Sequence, residues 1–458
     1  MSKENYDLVI KNGRVMNPES GLDSVMDIGI NGRTITTIQN GDLLGDKVIN
    51  AGGNVVAPGF IDMHAHGQDT ENYNIQCLDG VTTALELEVG ASDIEKWYKD
   101  RENNASINFG VSAGHIPVRM DVMNDPASGI VPIGDAAYKP ASTVEISNIT
   151  NKIEQGLKLG ALAVGMGLGY TPSATRDEIH AVFDVAAAYN ATCHVHIRGE
   201  IQTNIGIEAL EEVITASVIT GASLHVVHLS SSGRKKAPVM LRIIEDAQLS
   251  GLDVTTECYP YDAGMTEIGA ATLGPWRPEF SNFIWADTVE QLNQERFEYY
   301  QANQPSGMII MPMIPATVVD TCVNSNTTAI ASDGFLKNGK GHPRTAGTYS
   351  KVLGHFVREK GGLSLMDALD KMSLMPAQRL EGCVPSMRNK GRIAVGCDAD
   401  IVIFDPDTVI DQATYKNPVM PSKGINYVVV NGTVVVESGK LNSQVYPGSP
   451  VRGSISNT

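Results

Sequence analysis

The sequence predicts an α/β fold: a (β/α)8 TIM-type barrel joined to a small β-sandwich built from both chain termini. Two observations carry this reading. Residues 55 to about 380 alternate short apolar runs with helical periods, which implies a parallel sheet, and about eight such units over some 320 residues favour a closed barrel. The two chain ends instead read as apolar runs broken by Asn-Gly, the strongest short hairpin signal. The domains expected are residues 1-57 (N-terminal part of the sandwich), 58-380 (barrel, with an irregular insert near 262-305) and 381-458 (C-terminal part).

At the N-terminus, DLVIK (7–11) leads through Asn12-Gly13 to Arg14, and MDIGI (26–30) leads through Asn31-Gly32 to the run 33–38. The C-terminus repeats the pattern with DIVIF (400–404), YVVV (427–430), Asn431-Gly432 and TVVV (433–436). Between them, strands are expected at 60–66, 81–89, 107–112, 161–166, 192–198, 223–229, 253–257, 308–311 and 328–334. The helix 175–189 shows the sequence of a capping box, Thr175 with Glu178, ahead of an apolar stripe of Ile179, Val182, Phe183 and Ala186. The segment 262–305 mixes Pro with aromatics and reads as a lid or substrate loop.

Charge narrows the classes of partner. With 35 basic and 52 acidic residues the formal charge is −17, which argues against nucleic acid or an anionic membrane as the main partner. A small anionic substrate is compatible, since one or two buried Arg suffice. The first twenty residues lack an apolar signal core, and no run approaches the ~20 apolar residues of a membrane span. The 6 Cys form no CxxC pair, so reduced thiols and a cytoplasmic setting are expected.

In a barrel the chemistry sits at the C-terminal strand ends. The first strand, FIDMHAH (60–66), puts Asp62, His64 and His66 on one face, and two imidazoles at i and i+2 can chelate a metal, although a chance HxH is the rival reading. In VTTALELEV (81–89), Glu86 and Glu88 are carboxylates in an apolar strand; they need a cation, either a metal pair or an Arg such as Arg119. In TCHVHIR (192–198), His196 lies nearer the strand end than His194, and Arg198 shares its face. In SLHVVHL (223–229), alternation sets His225 and His228 on opposite faces, and the terminal position favours His228 as a ligand. Asp333 closes TAIASDG (328–334), either as a helix N-cap or, beside so many His, as a metal-linked proton shuttle. His180 and His355 read as solvated helix residues. GVSAG (110–114) matches GxSxG, but HIPV follows where a helix should open, so Ser112 is not expected to be a nucleophile.

These residues, in this order, resemble the metal-dependent amidohydrolase superfamily, and within it the N-acyl-D-amino-acid deacylase (D-aminoacylase) branch. The resemblance spans nearly the whole chain and rests on VVAPGFIDMHAH (55–66), DGVTTALELEVG (79–90), GHIPVR (114–119), GLGYTP (167–172), HIRGE (196–200), YPYDAG (259–264), ASDG (331–334), HPRTAGTY (342–349), MPAQRL (375–380) and GRIAVGCDADIVIFDP (391–406). TTALELEVG looks most like the members labelled D-glutamate deacylases. The resemblance implies one or two Zn2+, other divalent metals being possible, held by His64 and His66 on one side and His196 and His228 on the other, with Asp333 as acid/base. The carboxylated Lys of many relatives has no counterpart in ALAVGMGLG (161–169), and the strand-two Cys of D-aminoacylases is missing near Val89, so Glu88 or Glu86 takes that place, Glu88 being nearer the strand end. A substrate-binding Lys two residues after His228 is here Ser230, which leaves Arg344, Tyr259, His342, Arg198 and Arg119 as candidates for the substrate carboxylate, with a structural ion pair as the rival reading of each Arg.

The reaction so implied is zinc-dependent hydrolysis of N-acyl-D-amino acids, N-acyl-D-glutamate or similar, to a carboxylate and a free D-amino acid. The alternatives are a cyclic-amide hydrolase of the dihydroorotase or hydantoinase type, and a non-catalytic scaffold that has lost its metals. The partner expected is a small carboxylate-bearing molecule, with self-association left open. Arg277, in the insert, is a candidate for an acidic substrate side chain.

Overall fold

Eight parallel strands follow one another round a barrel: Phe60–Asp62, Val81–Ala91, Asn108–Gly114, Val164–Gly167, Thr192–His196, Ser223–Val226, Val254–Cys258 and Thr328–Ile330. The computed structural model that shows this describes residues 5–198 and 206–455, so the last two residues of HIRGE lie outside the described residues. The barrel is nearly closed: Ala65 bridges Gly334, and the His66 N–H donates to the Gly334 carbonyl at 2.9 Å. Asp62 stitches the same seam, its Oδ1 accepting from the Ser332 N–H at 3.0 Å and the His64 N–H at 3.1 Å.

Both termini build one nine-stranded sheet, joined where Val55–Pro58 pairs antiparallel with Ile401–Phe404. Period-two alternation gives it two apolar faces. Val56, Ile401, Ile403 and Val429 enter a core of its own with Ile10, Ile28 and Ile35, whereas Val55, Ala57, Val402, Phe404, Val428 and Val430 pack into the barrel's core. Asn431-Gly432 makes a two-residue hairpin loop with φ of 49° and 77°, as a type I′ turn requires. Asn12-Gly13 is not a turn, contrary to the sequence reading. One strand, Asn5–Asn17, runs through it, and Asn12 at φ 60° marks a bulge where the register shifts. Gly13 is required there, since a Cβ would meet Val56 Cγ2 at 2.3 Å.

The run 308–311 is not a barrel strand. Met308–Pro312 pairs antiparallel with Ala263–Glu267, forming a four-stranded sheet with Ile284–Trp285 and Glu290–Gln291. The segment read as irregular is therefore a small folded insert, with Phe280, Phe283, Trp285, Phe297 and Tyr300 as its core. Its first strand leaves the barrel just after YPYD and passes over the site. At the opposite end, Ala377, Leu380, Val384 and Met387 pack on the inward residues Ile61, Met63, Leu85 and Leu87. Among the described residues no helix is long and apolar enough to cross a membrane.

Two helix readings change as well. The helix Arg176–Ala188 is capped by Thr175, which accepts from the Glu178 N–H, but Glu178 does not reach back to complete the box; its carboxylate goes to His115 and Arg119. A helix does open directly after GVSAG, at His115–Met123, because Pro117 falls within its first turn, where no intrahelical N–H is needed. Ser112 is fully buried on the strand against Gly90 and Gly165, and its hydroxyl has no hydrogen-bond partner among the described residues.

Candidate metal centre and active site

The first strand delivers His64 and His66 to the barrel mouth, where their Nε2 atoms lie 3.1 Å apart. Each ring is held from behind by a carboxylate. His64 Nδ1 lies 2.5 Å from Glu257 Oε1, and His66 Nδ1 lies 2.7 Å from Glu86 Oε2. Glu86 is itself fixed, its Oε1 accepting from the Val89 N–H at 3.0 Å. Glu86 thus orients a ring and Glu88 occupies the centre. Glu88 Oε2 lies 2.5 Å from His64 Nε2 and 3.3 Å from His66 Nε2, and Glu88 Oε1 lies 2.8 Å from His196 Nδ1. Among the described residues no Arg meets either carboxylate as the sequence allowed; a bulge after Glu86 in the second strand brings both to the mouth.

The remaining two members arrive on unusual backbone. His228 has φ 33° and Asp333 has φ 52°, left-handed conformations that non-glycine residues rarely adopt and that concentrate at functional sites. The turn at His228 is why His225 and His228 are not set on opposite sides as strict alternation predicted. The strand ends at Val226; His225 Nε2 lies 3.1 Å from Glu257 Oε2, while His228 is redirected to the mouth, with its Nδ1 3.1 Å from Ser232 Oγ and its Nε2 3.9 Å from Glu88 Oε2. Asp333 Oδ1 lies 3.3 Å from His66 Nε2 and 2.9 Å from Arg344 Nη2. Burial disfavours the Asp333 anion, but Arg344 and the facing histidines outweigh it and hold the carboxyl below its usual range.

The donor set fits a divalent cation. Ligand atoms of His64, His66, Glu88 and Asp333, and of Glu88, His196 and His228, lie within 4.8 Å of one another. With Nδ1 of His64 and His66 donating to carboxylates, their Nε2 lone pairs point at one another and at Glu88, an arrangement that needs a positive charge between them. Burial opposes charging His64, yet Asp333, Glu257 and Glu88 push its pKa well up. The cluster therefore has the field of a cation site.

The predicted carboxylate binders separate. Arg344 is fully buried at the mouth, its guanidinium 4.7 Å over the Tyr259 ring, with Nε and Nη1 making no hydrogen bond. His342 lies behind it rather than in the cavity. Its Nδ1 accepts from the Arg344 N–H at 3.0 Å and its ring packs against Tyr261 and Tyr415. Arg119 is committed elsewhere: it pairs with Glu178 and donates to the Ala136 and Lys139 carbonyls. Arg198 likewise pairs with Glu212 at 2.8 Å and donates to the Pro172 and Ala174 carbonyls, both at 2.7 Å. In both, each of the three guanidinium nitrogens already donates to a protein oxygen, as in a structural ion pair. Arg277 stacks 4.6 Å over Phe280 within the insert and does not line the site.

Two lobes open beside Asp333, sharing Tyr170, Met265 and Thr266. One lies toward His196 and His228 and holds Ser231, Ser232 and Arg234. The other lies toward His66 and Arg344 and holds Val89, Ile130, Val131, Met308, Phe335 and Glu267. Sequence reasoning set Asp62 on the face of His64 and His66 without giving it a role, and missed Glu257, Arg234 and Glu267. The reasoning applied to Glu88, a carboxylate in an apolar strand, would have found Glu257 in VTTEC. Nothing in the sequence marks Arg234 or Glu267.

An amidohydrolase family model matches residues 47–110 and 310–436. The chain is 29% identical to an N-acyl-D-glutamate deacylase of Alcaligenes xylosoxydans xylosoxydans, covering 94% of each. It is 28% identical to a D-aminoacylase of the same organism, covering 96% of each. The N-acyl-D-glutamate deacylase of Bordetella bronchiseptica, solved with zinc and a phosphonate that mimics the tetrahedral intermediate, superposes with a TM-score of 0.82 at 23% identity, covering 98% of this chain and 100% of that one. At that identity the likeness establishes the fold.

Proposed function

We propose that this chain, which carries an amidohydrolase domain, hydrolyses the amide bond of N-acyl-D-amino acids. The observation that carries the reading is the single carboxylate of Glu88 lying between His64 and His66 on one side and His196 and His228 on the other, with Asp333 beside it. These residues would hold one or two divalent ions, zinc foremost, which supply a Lewis acid that acidifies water and polarises a carbonyl. A carboxylate that is already ionised at the mouth suits Asp333 to take the proton of the attacking water on its free oxygen and pass it to the leaving amine. Arg344 keeps two guanidinium N–H directions open for the substrate's α-carboxylate, and the Tyr259 ring beneath fixes its plane. His342 orients Arg344 from behind. A reduced, cytoplasmic setting agrees with the six unpaired thiols.

The test is a substrate panel of N-acetyl-, N-formyl- and N-carbamoyl-amino acids in both D and L forms, together with hydantoins and dihydroorotate. The reading expects release of free amino acid from N-acyl-D-substrates. Turnover confined to the cyclic amides would replace it with the cyclic-amide reaction.

A further inference from the structure

Glu267 closes the first strand of the insert and is buried to 5% exposure in the lobe that also holds Arg344. The lobe has an apolar wall of Val89, Ile130, Val131, Met265, Met308 and Phe335, and its polar lining is His66, Asp333, Arg344, Tyr170 and Thr266 besides Glu267. Oε1 accepts from the Ile130 N–H at 2.9 Å, and the Val131 amide also faces the carboxylate, but Oε2 completes no hydrogen bond. The loop that covers it approaches so closely that a Cβ on Gly129 would meet either carboxylate oxygen at 2.2 Å. Burial raises the Glu267 pKa, and the backbone amides and the distant charge of Lys337 offset this only in part. Glu267 lines the lobe, and a buried carboxyl oxygen without a partner is costly; a donor brought by a ligand in that lobe removes the cost. Apart from Arg344 and His66, no basic side chain lines this lobe among the described residues.

Resting on the deacylase reading, we infer that Glu267 selects the side chain of the D-amino acid: the side chain ends in a hydrogen-bond donor, an amide or an ammonium, and is not a carboxylate. The side chain branches from the same carbon as the α-carboxylate. It therefore enters the lobe that Arg344 lines, and the acyl group takes the lobe toward His196 and His228. An acidic side chain would set a second carboxyl against Glu267 inside an apolar wall. The chain thereby differs in preference from relatives named for D-glutamate.

The test compares size-matched substrates, N-acetyl-D-glutamine against N-acetyl-D-glutamate and Nα-acetyl-D-ornithine against N-acetyl-D-norleucine. The donor-bearing member of each pair should have kcat/KM higher by at least about tenfold, as expected when like charges or unpaired groups are forced together. Glu267→Gln keeps an oxygen for the Ile130 N–H and should erase the preference, bringing the kcat/KM ratios of glutamine to glutamate and of ornithine to norleucine substrates to about one or below. Preference for N-acetyl-D-glutamate in the wild-type protein overturns the inference, and so does an equal fall on every substrate in Glu267→Gln, which would make Glu267 only a clip for the loop. If no N-acyl-D-substrate turns over, the deacylase reading fails separately. Calorimetric binding of free D-glutamine and D-glutamate to the metal-loaded protein and to Glu267→Gln then decides the inference: tighter binding of D-glutamine that depends on Glu267 supports it, and equal or absent binding overturns it.

Discussion

Glu88 reaches His196 Nδ1 with one oxygen, at 2.8 Å, while its other oxygen lies 2.5 Å from His64 Nε2. A single carboxylate from the second strand therefore joins ligands delivered by the first and fifth strands. The two neighbouring glutamates have different jobs: Glu88 faces the ring nitrogens that converge, and Glu86 holds the back of one ring.

That division predicts a contrast between variants. Glu88→Ala should lower bound zinc by at least one ion per chain, read by elemental analysis after dialysis. Glu86→Gln should keep the ion and weaken affinity by about 10- to 100-fold, as for a residue that orients a ligand. Equal metal content in Glu88→Ala and wild type would remove Glu88 from the centre.

Asp333 is expected to separate metal binding from turnover. Asp333→Asn should retain zinc and lower kcat by about 10²- to 10⁴-fold, the usual range for a positioned acid/base. Turnover near the wild-type rate would strip Asp333 of that role.

Glu257 holds His64 from below and, through its other oxygen, His225. Glu257→Gln should leave the fold intact but loosen metal affinity about 10- to 100-fold by freeing the His64 tautomer. A competitive chelator titration measures this, and an unchanged dissociation constant would limit Glu257 to packing.

Arg119 belongs to stability instead. Its guanidinium and the Glu178 carboxylate are fully buried together, so Arg119→Ala strands a charge and should cost about 3–5 kcal/mol in denaturant unfolding. Arg198 is partly exposed, and Arg198→Ala should change KM for N-acyl-D-substrates little. A large rise in KM with unchanged stability in either variant would return that Arg to the substrate.

Much of the site was legible because a barrel concentrates chemistry at strand ends, and polar residues that interrupt or close apolar runs stand out there. His64, His66, Glu88, His196, His228 and Asp333 are such residues, and the structure gathers all of them at one mouth. What stayed hidden depended on backbone that departs from the ideal strand. The left-handed turn at His228 defeats alternation, and the bulge at Asn12-Gly13 imitates a hairpin. The run 308–311 has the texture of a barrel strand, and only its antiparallel partner at 263–267 assigns it to the insert. The Arg residues were ambiguous for a different reason: sequence shows a cation but not whether its donors are already taken, as they are for Arg119 and Arg198 and are not for Arg344.

The most direct measurement strips the purified protein with a chelator and titrates zinc back while following release of free D-amino acid from N-acetyl-D-substrates. Activity should vanish on stripping and return as one to two zinc ions rebind per chain, with His64→Ala and His196→Ala failing to recover. Full activity in the metal-free protein, or no uptake of zinc by it, would contradict the account.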